Sequence, residues 1–186
     1  DIGEKMKIAL VGYGKMGHMI AECARSCGHE IAVTVDVAAD DASAKVPAGD
    51  YKAVARAVKS SGAEGIIEFS HPSAVMGNIK ALLPLGIPVV VGTTGWNDRH
   101  QEVSDFAASC GGTIMTSSNF SIGVNMLYKI IDEAVRIMEP FSEYDISTWE
   151  MHHNQKADSP SGIALEIAKH ILANTGRKTE IVTEEF

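Results

Sequence analysis

Near its start the chain runs Lys-Ile-Ala-Leu-Val from Lys7 to Val11 and passes straight into Gly12-Tyr13-Gly14-Lys15-Met16-Gly17. A strand-length apolar run, a G-x-G-x-x-G turn and then a helical periodicity constrain the fold more than any other feature. Glycines at these spacings keep a strand-to-helix turn tight and let backbone approach a pyrophosphate, whose charge meets free N–H groups and the positive end of the helix. The helix is predicted from Met16, Met19, Ile20, Cys23, Ala24 and Cys27, which share one helical face, with Gly28 as its cap. That stripe assigns Cys23 and Cys27 to the core rather than to a metal. Ile31, Val33 and Val35 then alternate as a second strand ending at Asp36. An acid there is placed to accept hydrogen bonds from ribose hydroxyls.

The same grammar continues. A short helix is expected at Val54 to Val58, and strands at Gly65 to Phe69, Ile87 to Val91 and Thr113 to Thr116. Helices fall between them, one opened by Pro72 with Val75, Ile79, Leu82 and Leu83 on its face, and one from Trp96 to Cys110. The stretch from Val37 to Gly49 reads as loop. Strands separated by helices, without hairpin signals, imply parallel pairing. Residues 6–118 therefore read as a doubly wound, Rossmann-type α/β domain that binds a dinucleotide. Three further clusters fall at the carboxyl edge, where open parallel sheets bind ligands. They are Ser70-His71-Pro72, Gly92-Thr93-Thr94-Gly95 and Ser117-Ser118-Asn119-Phe120. Gly92, Thr93 and Thr94 read either as lining for a nicotinamide ribose or as a turn, and His71 as a polar turn residue.

Composition narrows the partners. The 186 residues carry 16 Lys plus Arg against 24 Asp plus Glu, a net charge of −8 with no basic stripe, which disfavours nucleic acid and anionic membranes. No apolar run approaches the ~20 residues of a membrane span. The three cysteines form no C-x-x-C pair, so neither a disulfide framework nor a zinc site is indicated and a reducing cytoplasm is the simplest compartment. Residues 1–5 read as a leader ahead of a natural start at Met6-Lys7. After Asp36 come Val37, Ala38, Ala39, Asp40 and Asp41, acids where a 2′-phosphate needs a cation. NADH is therefore favoured over NADPH.

From Asn119 the pattern changes to a long helix, Gly123 to Met138, then an alternating strand, Tyr144 to Met151. A polar stretch, a helix through Ile163, Ile167, Ile171 and Leu172, and a strand-like Glu180 to Thr183 complete it. Residues 119–186 read as a second, α+β domain that binds substrate and is incomplete at its C-terminal end. Its polar stretch is Glu-Met-His-His-Asn-Gln-Lys-Ala-Asp-Ser-Pro-Ser-Gly, from Glu150 to Gly162. Two histidines, a lysine and an aspartate supply a proton donor, a fixed positive charge and an orienting carboxylate, and the Ser-Pro-Ser-Gly end leads into a helix whose N–H groups suit a carboxylate. The alternative is a solvated loop before a capped helix. The His-His pair lacks a third ligand for zinc.

Together with Gly-Tyr-Gly-Lys-Met-Gly, Val-Gly-Thr-Thr-Gly and Ser-Asn-Phe-Ser-Ile-Gly-Val-Asn, this stretch closely resembles the 4-hydroxy-tetrahydrodipicolinate (dihydrodipicolinate) reductase family. The resemblance implies NAD(P)H-dependent reduction of a cyclic imine bearing two carboxylates, in the diaminopimelate route to lysine, by a homotetramer. It makes His152 the general acid/base, His153 a substrate contact and Lys156 a cationic proton donor, with Asp158 bracing the loop. Ser161, Gly162 and Ile163 would hold a substrate carboxylate. Gly12, Tyr13, Gly14, Lys15, Met16, Gly17, Asp36, Ser70, Gly92, Thr93, Thr94, Ser117, Ser118, Asn119 and Phe120 would line the cofactor. Ile163 stands where the family has Thr, removing one hydroxyl. The alternatives are another NAD(P)-dependent dehydrogenase of an imino or oxo acid, or a non-catalytic dinucleotide-binding fragment.

Overall fold

The structure, a computed structural model, describes residues 4–152, 154 and 159–183. The chain divides into two compact units, Asp1–Ser118 and Asn119–Phe186.

In the first unit six strands form one parallel sheet: β1 (Lys7–Val11), β2 (Glu30–Asp36), β3 (Ala44–Lys45), β4 (Gly65–Glu68), β5 (Val89–Val91) and β6 (Ile114–Thr116). Their spatial order is β3-β2-β1-β4-β5-β6. The order reverses beside β1, and at such a switch point the crevice above the strand ends takes ligands. Successive residues of β1 face opposite sides of a sheet. Ala9 and Val11 join a core with Val54 and Val58 of α2 (Tyr51–Ser60), Val75, Ile79 and Leu82 of α3 (Val75–Leu82), and Val103 and Ala107 of α4 (His100–Cys110). Ile8 and Leu10 join a second core with Ala21 and Ala24 of α1 (Lys15–Ser26). Every residue of β1 after Lys7 is thus buried, which explains its unbroken apolar run.

Several expectations are corrected. The α1 helix packs through Gly17, Ala21 and Ala24, about a quarter turn from the Met and Cys row. Met16, Met19, Cys23 and Cys27 are therefore exposed. Small side chains let the helix sit close to the sheet, and closeness outweighed hydrophobicity in choosing the face. The loop after Asp36 contains β3, two residues without an apolar signal, held by pairing Val35 with Ala44 and Asp36 with Lys45. Helix α3 begins at Val75 after a turn through Pro72, and α4 begins at His100 after a 3₁₀ turn, Asn97–Arg99.

The second unit contains α5 (Ile122–Met138) and α6 (Gly162–Asn174). Ser121 and Ser161 cap them, accepting from Val124 N–H and Ala164 N–H. Between the helices Asp132 is buried, accepting from His170 Nδ1 at 2.7 Å and Asn174 Nδ2 at 2.8 Å. The alternating segment from Tyr144 to Met151 and the segment from Glu180 to Thr183 are not strands among the described residues. A strand needs a neighbour to take its N–H and C=O groups, and neither segment has one there.

Candidate functional site

Gly12 has φ +93°, and a Cβ there would lie 2.1 Å from Phe69 O. Only glycine allows β1 to turn this close to the end of β4. Gly17 is as restricted, because its Cβ would meet Gly12 O at 2.4 Å, whereas Gly14 has nothing within 4 Å of its own. The open position is the middle glycine, where backbone can approach a ligand. No side chain caps α1, and its first intrahelical bond runs from His18 N–H to Gly14 O. The N–H groups of the first turn therefore lack intrahelical acceptors. A crowded turn, an open middle glycine and an uncapped helix end together fit the pyrophosphate of a dinucleotide.

Asp36 lies beside this turn. Its Oδ2 accepts from Tyr13 N–H at 2.6 Å, and Oδ1 accepts from Ala38 N–H at 2.8 Å and Ala39 N–H at 2.9 Å. Burial opposes its charge, but these N–H groups prevail and hold the carboxyl below its ordinary value. A carboxylate offers roughly four acceptor positions. The Val37 N–H acts on the same carboxyl.

Across the switch point, Glu68 is fully buried at the end of β4. It accepts from Ser70 Oγ, from Asn78 Nδ2 at 3.0 Å and from Thr93 Oγ1 at 2.7 Å, while Ser70 N–H donates to Thr93 Oγ1 at 2.8 Å. Burial pushes this carboxyl up, and the bonds from Ser70, Thr93 and Asn78 pull the other way. The network ties the loop after β4 to the loop after β5. It also commits the hydroxyl protons of Ser70 and Thr93, which act as internal struts at this edge rather than as outward donors. Thr94 is exposed. Trp96, buried, donates Nε1–H to Thr93 O at 2.7 Å and stacks on His100 at 4.4 Å. With Val91, Thr93, Thr94, Thr116, Ser117 and Ser118 these rings line a small cavity at the carboxyl ends of β5 and β6. His71 is the turn residue expected, bonded to Ser73.

In the second unit, Asn119 accepts from Ser121 N–H through Oδ1 at 2.8 Å, and Phe120 is exposed. His152 Nε2 lies 2.7 Å from Glu150 Oε2. Glu150 also accepts Ser161 N–H on Oε1 at 2.6 Å and Ser161 Oγ on Oε2 at 2.5 Å. The bonds from Ser161, first its hydroxyl and then its N–H, and the bond from His152 lower the Glu150 carboxyl to about 2. Glu150 therefore joins His152 to the start of α6. Gly162 and Ile163 open that helix, and Ile163 is exposed. His153, Lys156 and Asp158 lie outside the described residues.

The structure places Gly12, Gly14, Gly17 and Asp36 at one turn and Ser70, Gly92 and Thr93 at the next crevice. Sequence reasoning assigned no role to Glu68, Asn78, Trp96 or Glu150. The available signal for Glu68 was a charged residue ending an otherwise apolar strand, Gly-Ile-Ile-Glu.

Residues 6–120 match the family described as dihydrodipicolinate reductase, N-terminus, and residues 123–185 match dihydrodipicolinate reductase, C-terminus. The chain is 33% identical over 172 residues to 4-hydroxy-tetrahydrodipicolinate reductase of Christiangramia forsetii, covering 92% of this chain and 66% of that protein. Identity to the protein of the same name from Methanococcoides burtonii is 34% over 137 residues, covering 73% and 51%. A solved structure, dipicolinate-bound dihydrodipicolinate reductase from Paenisporosarcina sp. TG-14, has the same fold, with TM-score 0.74 and 22% identity over 98% of this chain and 71% of that one. The chain spans half to two thirds of the length of these curated relatives. On the match of both units, the chain belongs to the dihydrodipicolinate reductase family.

Proposed function

We propose that this chain carries the machinery for NAD(P)H-dependent reduction of 4-hydroxy-tetrahydrodipicolinate to tetrahydrodipicolinate, with NADH preferred. The observation that carries the reading is one chain of this family joining two features. One is a glycine turn shaped for a pyrophosphate, and the other is a histidine held by a carboxylate to a helix start.

Each group has a defined task. The free N–H groups of α1 hold the pyrophosphate, and Asp36 takes a ribose hydroxyl. The Glu68 network fixes the edge around Ser70, Gly92, Thr93 and Thr94. Loss of the substrate's 4-hydroxyl as water would leave a conjugated cyclic imine, to whose electron-poor carbon a reduced nicotinamide, when bound, would supply hydride. His152 gives the proton that the ring takes up as it gains electrons. Its Nε2 faces Glu150, so Nδ1 is the atom left to carry that proton. Lys156 offsets the negative charge of the substrate, with His153 as a further contact. At α6, Ser161 has given both its donors to Glu150, so the N–H groups of Gly162 and Ile163 take a substrate carboxylate. A cytoplasmic homotetramer is part of the same reading.

The test is absorbance of reduced nicotinamide after addition of the aldolase product of pyruvate and aspartate semialdehyde. Turnover inhibited by pyridine-2,6-dicarboxylate is expected. NADH binding without turnover would instead indicate a non-catalytic fragment. Oxidation by another oxo acid, insensitive to that inhibitor, would indicate a different dehydrogenase.

A further inference from the structure

Read along the sequence, Asp36, Asp40 and Asp41 stand together against a 2′-phosphate. In the structure two of them are paired. Lys45 Nζ reaches Asp40 Oδ1 at 2.7 Å, and His18 Nε2 reaches Asp41 Oδ2 at 2.7 Å. His18 lies in the first turn of α1, directly after Gly17, and its Nδ1 is 2.8 Å from Gly14 O. A carbonyl oxygen and a carboxylate oxygen only accept, so both ring nitrogens carry protons while both bonds are made, and the ring is a cation. The charged groups acting on it are Asp41 and, more weakly, Asp36. The bond to Asp41 and then the bond to Gly14 raise its pKa. The ring also stacks on Tyr13 with centroids 4.1 Å apart, and Tyr13 N–H donates to Asp36. A cation therefore stands one ring away from the residue that marks the ribose.

We infer that His18 and Asp41 form the charge pair that sets the choice between NADH and NADPH, with Asp41 competing against a 2′-phosphate for the His18 imidazolium. The inference rests on the dinucleotide reading of the glycine turn. In the native chain the internal carboxylate holds the cation, and NADPH gains little from it. Removing the Asp41 charge hands the cation to the phosphate. Removing His18 leaves Asp36 and Asp41 uncompensated and deepens the preference for NADH. As pH rises through the raised His18 pKa the cation is lost, and NADPH weakens relative to NADH. The phosphate's own second ionisation, at about pH 6, acts in the opposite direction and equally in all variants.

The test is binding of NADH and NADPH to the full chain, read by nicotinamide fluorescence from pH 6 to 9 (about the range around a raised histidine), for the native protein, Asp41→Asn, His18→Gln and His18→Lys. Both side chains are exposed, so the variants should fold. Asp41→Asn should shift the Kd ratio toward NADPH by roughly fivefold, as one charge-assisted bond at an exposed site provides. His18→Gln should shift it the other way and remove the histidine part of its pH dependence. His18→Lys should restore NADPH binding without a pH transition near neutrality. Ratios unchanged in Asp41→Asn and His18→Gln, with both nucleotides still bound, would overturn the pair's role alone. Native protein that binds neither nucleotide would overturn the dinucleotide reading as well.

Discussion

The two units of this chain use apolar sequence differently. In the first, apolar runs become buried strands because each has a parallel neighbour, and Leu10, Ile66, Val89 and Val91 are almost fully enclosed. In the second, an equally apolar helix, α5, leaves Ile122, Met126, Ile130 and Ile137 each about 60% exposed or more, and the alternating stretch before His152 forms no strand. Burial follows from partners, not from hydrophobicity alone. On the proposed reading the division has a functional counterpart: the first unit would present a site preformed by backbone and buried bonds, and the second would assemble its site from side chains gathered at the start of one helix.

The comparison is broken most severely at Gly12. Gly12→Ala places a methyl against Phe69 backbone in a left-handed conformation and should cost at least about 3 kcal/mol. Thermal unfolding and NADH titration should show loss of stability and of binding together, whereas an unchanged melting curve would contradict the close approach. Next in size, Glu68→Leu strands the donors of Ser70, Thr93 and Asn78 in a buried site and should cost about 2 kcal/mol or more. Glu68→Gln, which keeps one acceptor oxygen, should cost less. Denaturant midpoints of the two variants decide this, and equal losses would mean that volume rather than the network matters.

Acid separates the units more gently. The Glu150 carboxyl sits at about 2, below its ordinary 4.5, so the stability that it contributes is complete above pH 4.5 and lost as pH falls toward 2. Hydrogen exchange at the start of α6 should quicken across that window in the native chain and stay flat in Glu150→Gln. The smallest effect is expected at Ile163. Ile163→Thr supplies one hydroxyl beside the proposed substrate carboxylate and should lower KM about fivefold, the value of one exposed hydrogen bond of about 1 kcal/mol. An unchanged KM would remove that residue from the substrate site.

Much of this was legible in the sequence wherever the signal was local. The strand-glycine-helix opening, the acid ending the second strand and the helix cap at Ser161 depend on neighbours within a few residues. What the sequence concealed depends on strand order. Ser70 and Thr93 meet over Glu68 because β4 lies beside β5. His18 neutralises Asp41 because α1 lies against the loop after β2. The face of α1 was misread for a related reason: a helix held tightly to a sheet turns its smallest residues inward, and Gly17, Ala21 and Ala24 carry little hydrophobic signal.

The central claim is that the first unit binds the reductant and the second performs the proton transfer. His152→Gln tests it most directly, with NADH affinity and turnover measured on the same preparation. The account predicts turnover reduced by about 100-fold or more, as for loss of a general acid, with the NADH Kd within roughly twofold of native, a difference under 0.5 kcal/mol. Native turnover in this variant, or a parallel collapse of NADH binding, would contradict it.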